Sequence, residues 1–243
     1  MNVPPHKVQG TGQPLLYLPG LDGTGELFYR QLPELTRAHR VVTTSYRSGG
    51  AARFEDLLND VETLVATERE PVTLCAESFG CALGLACAAR NPASIRCLVL
   101  ANSFARLGQR ALIRTAATVL GLLPRLAVSA ATPLAARLLL LNGIDPIDRQ
   151  VFLQVVVADG PTYASRFRML AGLDFREELP RITCPVILIA GTADRLIDSV
   201  KHAREMASRL PRSRVVAVGG VGHLAFLDGR VNVAAILAEC SLA

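Results

Sequence analysis

The chain has 243 residues, half of them hydrophobic, enough for one large domain with a sizeable core. Its formal net charge is +5, Trp is absent, aromatics make up 5%, and of the 26 basic residues only Lys7 and Lys201 are lysines. The arginines are spread along the chain and do not gather into a basic stripe with interleaved aromatics, so composition argues against nucleic-acid binding.

The opening MNVPPHKVQGTG is polar, holds two prolines and lacks the apolar stretch of a secretory signal, so the expected location is cytoplasmic. Short apolar runs then alternate with helical patterns. Strands are predicted at 14–19 (PLLYLP) and 40–46 (RVVTTSY), an amphipathic helix at 53–69, a strand at 71–76 (PVTLCA), a tightly packed helix at 79–90 and a strand at 95–101 (IRCLVLA). From 105 to 180 no strand is predicted, only helical pattern interrupted by Pro124, Pro133, Pro146 and Pro161. Beyond it come a strand at 185–191 (PVILIAG), a helix at 199–210, a strand at 214–220 (RVVAVGG) and a helix at 229–239. Continuous Val, Leu and Ile predict strands covered on both faces, and the alternation predicts an α/β fold with a mostly parallel, doubly wound sheet. The core is expected at 1–104 and 181–243, with 105–180 inserted as a helical lid over the carboxyl ends of the strands.

The six cysteines, at 75, 81, 87, 97, 184 and 240, show no CxxC pairing and no histidine at metal-ligand spacing, so they are expected as reduced core residues. The stretch CAESFGCALGLACAAR, residues 75 to 90, carries chemistry. Ser78 lies where a strand turns sharply into a helix, and Ala76-Glu77-Ser78-Phe79-Gly80 fits the nucleophile elbow with alanine in place of the usual first glycine. Such a turn lifts the hydroxyl above the sheet, provided its neighbours are small; Ala76, Gly80, Ala82 and Gly84 are the candidates for that clearance. Glu77 is expected to pack or hydrogen-bond behind the elbow.

A serine needs a base. Of the four histidines, His6 lies in the polar opening, His39 precedes a strand and His202 falls in a helix, whereas His223 follows the last strand in the glycine-rich loop GGVGH. A carboxylate should orient that imidazole. Asp194, just after the strand PVILIAG, fits best, with Asp198 as the alternative. The chain order Ser78, Asp194, His223 suits this hydrolytic arrangement.

The sequence resembles the α/β-hydrolases with a helical lid, through LLYLPGLDGTGELF, CAESFG, PVILIAGTADRLID and GGVGHLAFL, over residues 14 to the C-terminus. Pro19-Gly20 stands where many members have His-Gly, and this LPGLDGTG form resembles a subgroup that includes esterases and plastid-type acyltransferases acting on lipids and phytol. The short stretch before residue 14 leaves little room for the first strands of the usual sheet. The resemblance implies an oxyanion hole built from the backbone N–H groups of Leu21 and Phe79, with a shift from Leu21 to Asp22 as the alternative; Asp22 and Gly23 otherwise read as turn formers.

Arg106, Arg110 and Arg114 recur every four residues, which predicts that they share one helical face while Leu107, Ala111 and Leu112 help form another. Two readings follow: the apolar face covers the active site and the arginines are solvated, or the helix lies against an anionic membrane surface. The first is preferred here, and no uncharged run reaches the roughly 18 residues of a spanning helix. Phe79, Phe104, Phe152 and Phe226 are candidates to line an apolar pocket. The expected function is hydrolysis of carboxylic esters with apolar acyl or alcohol groups, needing no metal or organic cofactor. An acyltransferase or thioesterase using the same acyl-enzyme, and a non-catalytic ligand-binding protein on the same scaffold, are the alternatives.

Overall fold

A computed structural model describes residues 4–47, 52–156 and 159–241, apart from the side chains at 240 and 241. After strand β1 (His6–Gln9) come β2 (Gln13–Leu18), a 3-10 turn at Glu26–Arg30, α1 (Leu32–Leu35), β3 (His39–Thr44), α2 (Phe54–Thr67), β4 (Val72–Glu77), α3 (Phe79–Arg90) and β5 (Ile95–Ala101). Four helices follow in the segment between β5 and β6: α4 (Arg110–Leu122), α5 (Arg125–Leu139), α6 (Pro146–Val155) and α7 (Gly160–Gly172). The chain closes with β6 (Val186–Gly191), α8 (Ser199–Ala207), β7 (Ser213–Val218) and α9 (Val233–Ser241).

The strands form one sheet in the order β1-β3-β2-β4-β5-β6-β7, parallel except where β1 runs against β3. Side-chain alternation along each strand sorts the apolar residues into two cores. Leu16, Leu74, Leu98 and Leu188 face one side, with Leu57 of α2, Leu83 of α3 and Met206 of α8. Leu15, Cys75, Val99 and Ile187 face the other, with Leu35 of α1 and Val233 and Leu237 of α9. All residues of β4 and β6 are therefore buried, which is why β6 reads as an unbroken apolar run and β4 as an apolar run broken by Thr73 and closed by Glu77. Cys75, Cys81, Cys87, Cys97 and Cys184 are buried free thiols in these cores; the Cys240 side chain lies outside the described residues.

The short stretch before residue 14 supplies one edge strand that periodicity did not reveal. All four residues of β1, HKVQ, are exposed, so no buried face marks it; backbone pairing from His6↔Thr44 to Gln9↔Val41 makes the strand. Three of the prolines in the inserted segment stand at helix starts, before or within the first turn of α5, α6 and α7, where a missing N–H is tolerated; Pro133 alone lies inside a helix.

The expected common face of Arg106, Arg110 and Arg114 is not formed. Helix α4 begins only at Arg110, so Arg106 lies in the connection, and both Arg106 and Arg110 turn to Asp174 beyond α7, at 3.7 and 3.5 Å. The inserted helices are tied to the sheet region by polar contacts. On α6 the buried Asp148 accepts from Arg30 Nε at 2.7 Å and from the Tyr29 hydroxyl.

Because β3 and β4 leave β2 on opposite sides, the loop after β2 and the turn after β4 begin next to each other. That is the topological switch point at which doubly wound sheets gather functional loops, and the loops after β5, β6 and β7 rise at the same sheet edge.

Candidate active site

Ser78 occupies the one-residue corner between β4 and α3, with φ 52° and ψ −115°. A side-chain-bearing residue in that conformation is strained, and the surroundings hold it there: Ser78 N–H donates to Ala101 O at 3.0 Å, and Ser78 O accepts from Cys81 N at 3.0 Å. Among the small residues expected to give clearance, Gly80 is the one the packing requires. A Cβ on it would lie 2.3 Å from Leu18 O and 2.5 Å from Pro19 O, whereas a Cβ on Gly84 would make ordinary contacts at 3.6 Å or more.

The structure brings Ser78, His223 and Asp194 into one hydrogen-bonded chain. His223 Nε2 is 2.8 Å from Ser78 Oγ, and its Nδ1 is 2.7 Å from Asp194 Oδ2. The side chains of His223 and Asp194 are 4% and 1% exposed, so the chain is shielded from bulk water. Asp198 does not take part; its carboxylate accepts from Lys201 N at 3.1 Å and caps α8. The other histidines are engaged elsewhere: His6 with Pro4 O, His39 with Leu35 O, and His202 beside Glu205. Burial opposes ionisation of Asp194 most strongly, but hydrogen bonds from His223, Ser199 and Leu196 N, together with the His223 charge, outweigh it and hold the carboxyl below its ordinary value. A carboxylate so held keeps Nδ1 protonated, which turns the Nε2 lone pair toward Ser78.

Three supporting residues went unnoticed in the sequence. Asn102, fully buried after β5 with φ 49°, donates from Nδ2 to Gly222 O at 3.0 Å and His223 O at 2.7 Å, and accepts from Gly191 N at 2.9 Å. One side chain thus joins the loops that carry Asp194 and His223. A polar residue directly after the unbroken run of β5 was its only local signal. Ser199 Oγ donates to Asp194 Oδ2 at 2.5 Å, so Asp194 keeps a second partner besides the imidazole. Arg166 of α7, 3% exposed, donates to Leu21 O and lies over the Tyr46 ring at 5.5 Å. The Tyr46 hydroxyl in turn donates to Pro19 O at 2.9 Å, so the loop after β2 is held from two sides.

In that loop Asp22 is a turn former: its Oδ2 accepts from Thr24 N at 3.0 Å and from Thr24 Oγ1 at 2.7 Å, and Gly23 follows at φ 66°. Leu21 and Asp22 both line the cavity beside Ser78. Phe79 is the first residue of α3, where backbone N–H groups have no acceptor within the helix.

Glu77 is buried behind the elbow, with Oε1 accepting from Phe226 N at 3.1 Å. Desolvation, reinforced by the negative charges of Asp22 and Asp194, outweighs the backbone hydrogen bonds and pushes its carboxyl up to about 8. At neutral pH it is mainly protonated and adds little negative charge behind Ser78. The folded chain therefore holds a proton between the ordinary value of 4.5 and about 8 that the unfolded chain has released, so stability falls as pH rises through that window. Glu77→Gln is expected to flatten that fall; melting curves of both proteins from pH 5 to about pH 8 that run parallel would refute it.

The chain Ser78–His223 opens into a cavity of about 270 Å³. Its walls beyond the polar end are mostly apolar, among them Leu120, Val128, Ala136, Leu139, Phe152 and Phe167, with Thr132 and Tyr163 beside them, and among the described residues no Lys or Arg lines it. Of the four phenylalanines expected there, only Phe152 is a lining residue; Phe79, Phe104 and Phe226 belong to the cores, since each sits where strand and helix faces meet.

Comparison with known proteins gives a match to the family model described as "Alpha/beta hydrolase family" over residues 15–236. Polyketide synthase ThaQ of Burkholderia thailandensis is 26% identical over 263 residues, covering 94% of this chain and 12% of that protein. Phytyl ester synthase 2 of Arabidopsis thaliana chloroplasts is 35% identical over 100 residues, covering 39% of this chain and 14% of that protein. The chain thus matches only a small part of the length of these curated relatives. In structure it is similar to a hydrolase from Pseudomonas aeruginosa, with a TM-score of 0.82 at 23% identity over 98% of this chain and 94% of that one. The shared feature there is the fold.

Proposed function

The chain belongs to the alpha/beta hydrolase family, and on that premise we propose that it is a serine hydrolase of carboxylic esters with apolar acyl or alcohol groups. The observation that carries this reading is the hydrogen-bonded chain Asp194–His223–Ser78 at the polar end of an apolar cavity. Ser78 Oγ attacks the acyl carbonyl while His223 Nε2 takes its proton; Asp194 orients the imidazole and stabilises its charged form. The backbone N–H groups of Leu21 and Phe79 receive the oxyanion, each worth about 3 kcal/mol in the transition state. His223 then protonates the leaving alcohol, and water activated by the same nitrogen attacks the acyl-enzyme and releases the acid and Ser78.

In this reading the segment 105–180 is a lid, since α4, α5, α6 and α7 all contribute walls to the cavity. The apolar walls and the absence of lining cations suit an acyl chain or a hydrophobic alcohol. Transfer of the acyl group to an alcohol in place of water, or its arrival as a thioester, uses the same acyl-enzyme. The similarity to a phytyl ester synthase and to a polyketide synthase favours keeping both as the second reading.

Hydrolysis of p-nitrophenyl esters of increasing chain length tests the reading, with Ser78→Ala and His223→Ala beside the wild type. Each substitution is expected to lower turnover by about 10⁶-fold, as for a triad acting as a unit. Labelling of Ser78 by a fluorophosphonate should disappear in Ser78→Ala. No turnover and no labelling in the wild type would overturn the hydrolase reading in favour of a ligand-binding protein. An added long-chain alcohol that yields ester in place of acid would identify the acyltransferase.

A further inference from the structure

The inserted helices turn apolar residues inward, with Leu120 of α4 and Val128, Ala136 and Leu139 of α5 on the cavity wall, but they carry further apolar residues that this packing leaves outside. On α4 only Ala117 is buried, and Leu112, Val119 and Leu122 stand 62%, 50% and 80% exposed. On α5 Leu126, Leu134 and Leu138 stand 85%, 63% and 55% exposed. Residues 112, 119 and 122 fall on one side of α4, and residues 126, 134 and 138 recur at multiples of four along α5, so each helix shows water a connected apolar strip.

The segment that carries this patch has charge of one sign in its own sequence. From Arg106 to Gly143 the sequence holds five arginines and no acidic residue. Arg106 and Arg110 are drawn to Asp174, and Arg125 reaches Asp159 at 3.5 Å. Arg114 and Arg137 are exposed and have no ion-pair partner among the described residues. The patch also adjoins the cavity: Leu139, at the end of α5, is 41% exposed and lines the cavity as well.

From this combination we infer that the outer face of α4 and α5 docks onto an anionic lipid surface and sets the cavity mouth against it. Exposed leucines supply apolar area to enter the acyl boundary, and unpaired arginines meet anionic headgroups. A second copy of the chain is a poorer occupant, because a two-fold contact would set arginine against arginine with no carboxylate from the same helices between them. Docking is independent of chemistry at Ser78, so its failure and a failure of the hydrolase reading are separately visible.

Co-sedimentation of the full chain with phosphatidylcholine vesicles, with and without about one third phosphatidylglycerol, tests the inference. The wild type should bind the anionic vesicles far more tightly than the neutral ones. Leu122→Glu with Leu126→Glu should weaken that binding by roughly a hundredfold. Arg114→Gln with Arg137→Gln should weaken it by about 25-fold, near fivefold per charge, and that contribution should vanish in high salt. These four positions do not line the cavity, and an unchanged melting temperature would show that the variants fold. No binding to anionic vesicles, or binding that survives both pairs of substitutions, would overturn it. So would a concentration-dependent dimer that Leu122→Glu and Leu126→Glu dissociate while vesicles capture nothing, which would assign the face to a second copy.

Discussion

Asp194→Asn is expected to lower kcat by about 10⁴-fold while leaving KM within a few-fold. Asp194 Oδ2 receives the Nδ1 proton of His223 at 2.7 Å, which reserves Nε2 as an acceptor 2.8 Å from Ser78 Oγ. An amide can instead donate to Nδ1, which places the ring proton on Nε2, where it cannot take a proton from serine. Position 194 keeps an acceptor oxygen for Leu196 N, so the turn should persist and melting should shift little. Substrate binding should be nearly untouched, because Asp194 does not line the cavity beside Ser78. A kcat within tenfold of the wild type would show that Asp194 does not orient the base, and Asp198→Asn, which alters only a helix cap, is the matched control.

Gly80→Val is expected to cost about 3 kcal/mol of stability or more, with loss of activity, whereas Gly84→Ala on the same helix should be neutral or stabilising by up to about 1 kcal/mol. At Gly80 the first added carbon meets the carbonyl oxygens of Leu18 and Pro19, both backbone and both at the end of β2. Relief requires α3 to move away from the loop that carries Leu21, which opens the distance between the proposed oxyanion donors and Ser78. At Gly84 the nearest atoms are side-chain carbons of Leu100, Ala76 and Leu18 at 3.6 to 3.8 Å, so a methyl fills ordinary contact distance and removes a flexible residue from the helix interior. Denaturant unfolding of the two proteins decides the matter; equal stability would mean that the elbow tolerates a wider separation of β2 and α3 than the packing indicates.

Much of this arrangement is legible in the residues because its causes are local. A strand covered on both faces is apolar through most of its length, so β2, β4, β5 and β6 announce themselves as largely apolar runs, interrupted at Thr73 of β4 and at Arg96 near the start of β5. The elbow is legible for the same kind of reason: a sharp strand-to-helix corner needs a small residue where two backbones meet, and Gly80 is that residue. Asp194 and Asp198 were harder to separate. Both stand in one polar turn with turn-forming neighbours, and nothing in the sequence says that the first faces the imidazole while the second caps α8.

Sequence by itself determined the alternation of strands and helices, the doubly wound α/β class, and the order in which Ser78, Asp194 and His223 meet the same sheet edge. Each of these follows from burial periodicity and from which residue types tolerate a turn, properties carried by a few adjacent positions. Tertiary structure alone decided the rest. Strand β1 exists through backbone pairing with β3, which leaves no pattern in four exposed side chains. Asn102 joins two loops that lie 89 and 121 residues further along the chain, and Arg166 steadies a loop 145 residues away, so neither has a local signature beyond its own polarity. Periodicity states that α4 has an apolar side, but it is invariant to rotation of the helix about its axis. Only the packing of α4 among its neighbours sets that rotation, and it leaves Leu112, Val119 and Leu122 facing outward.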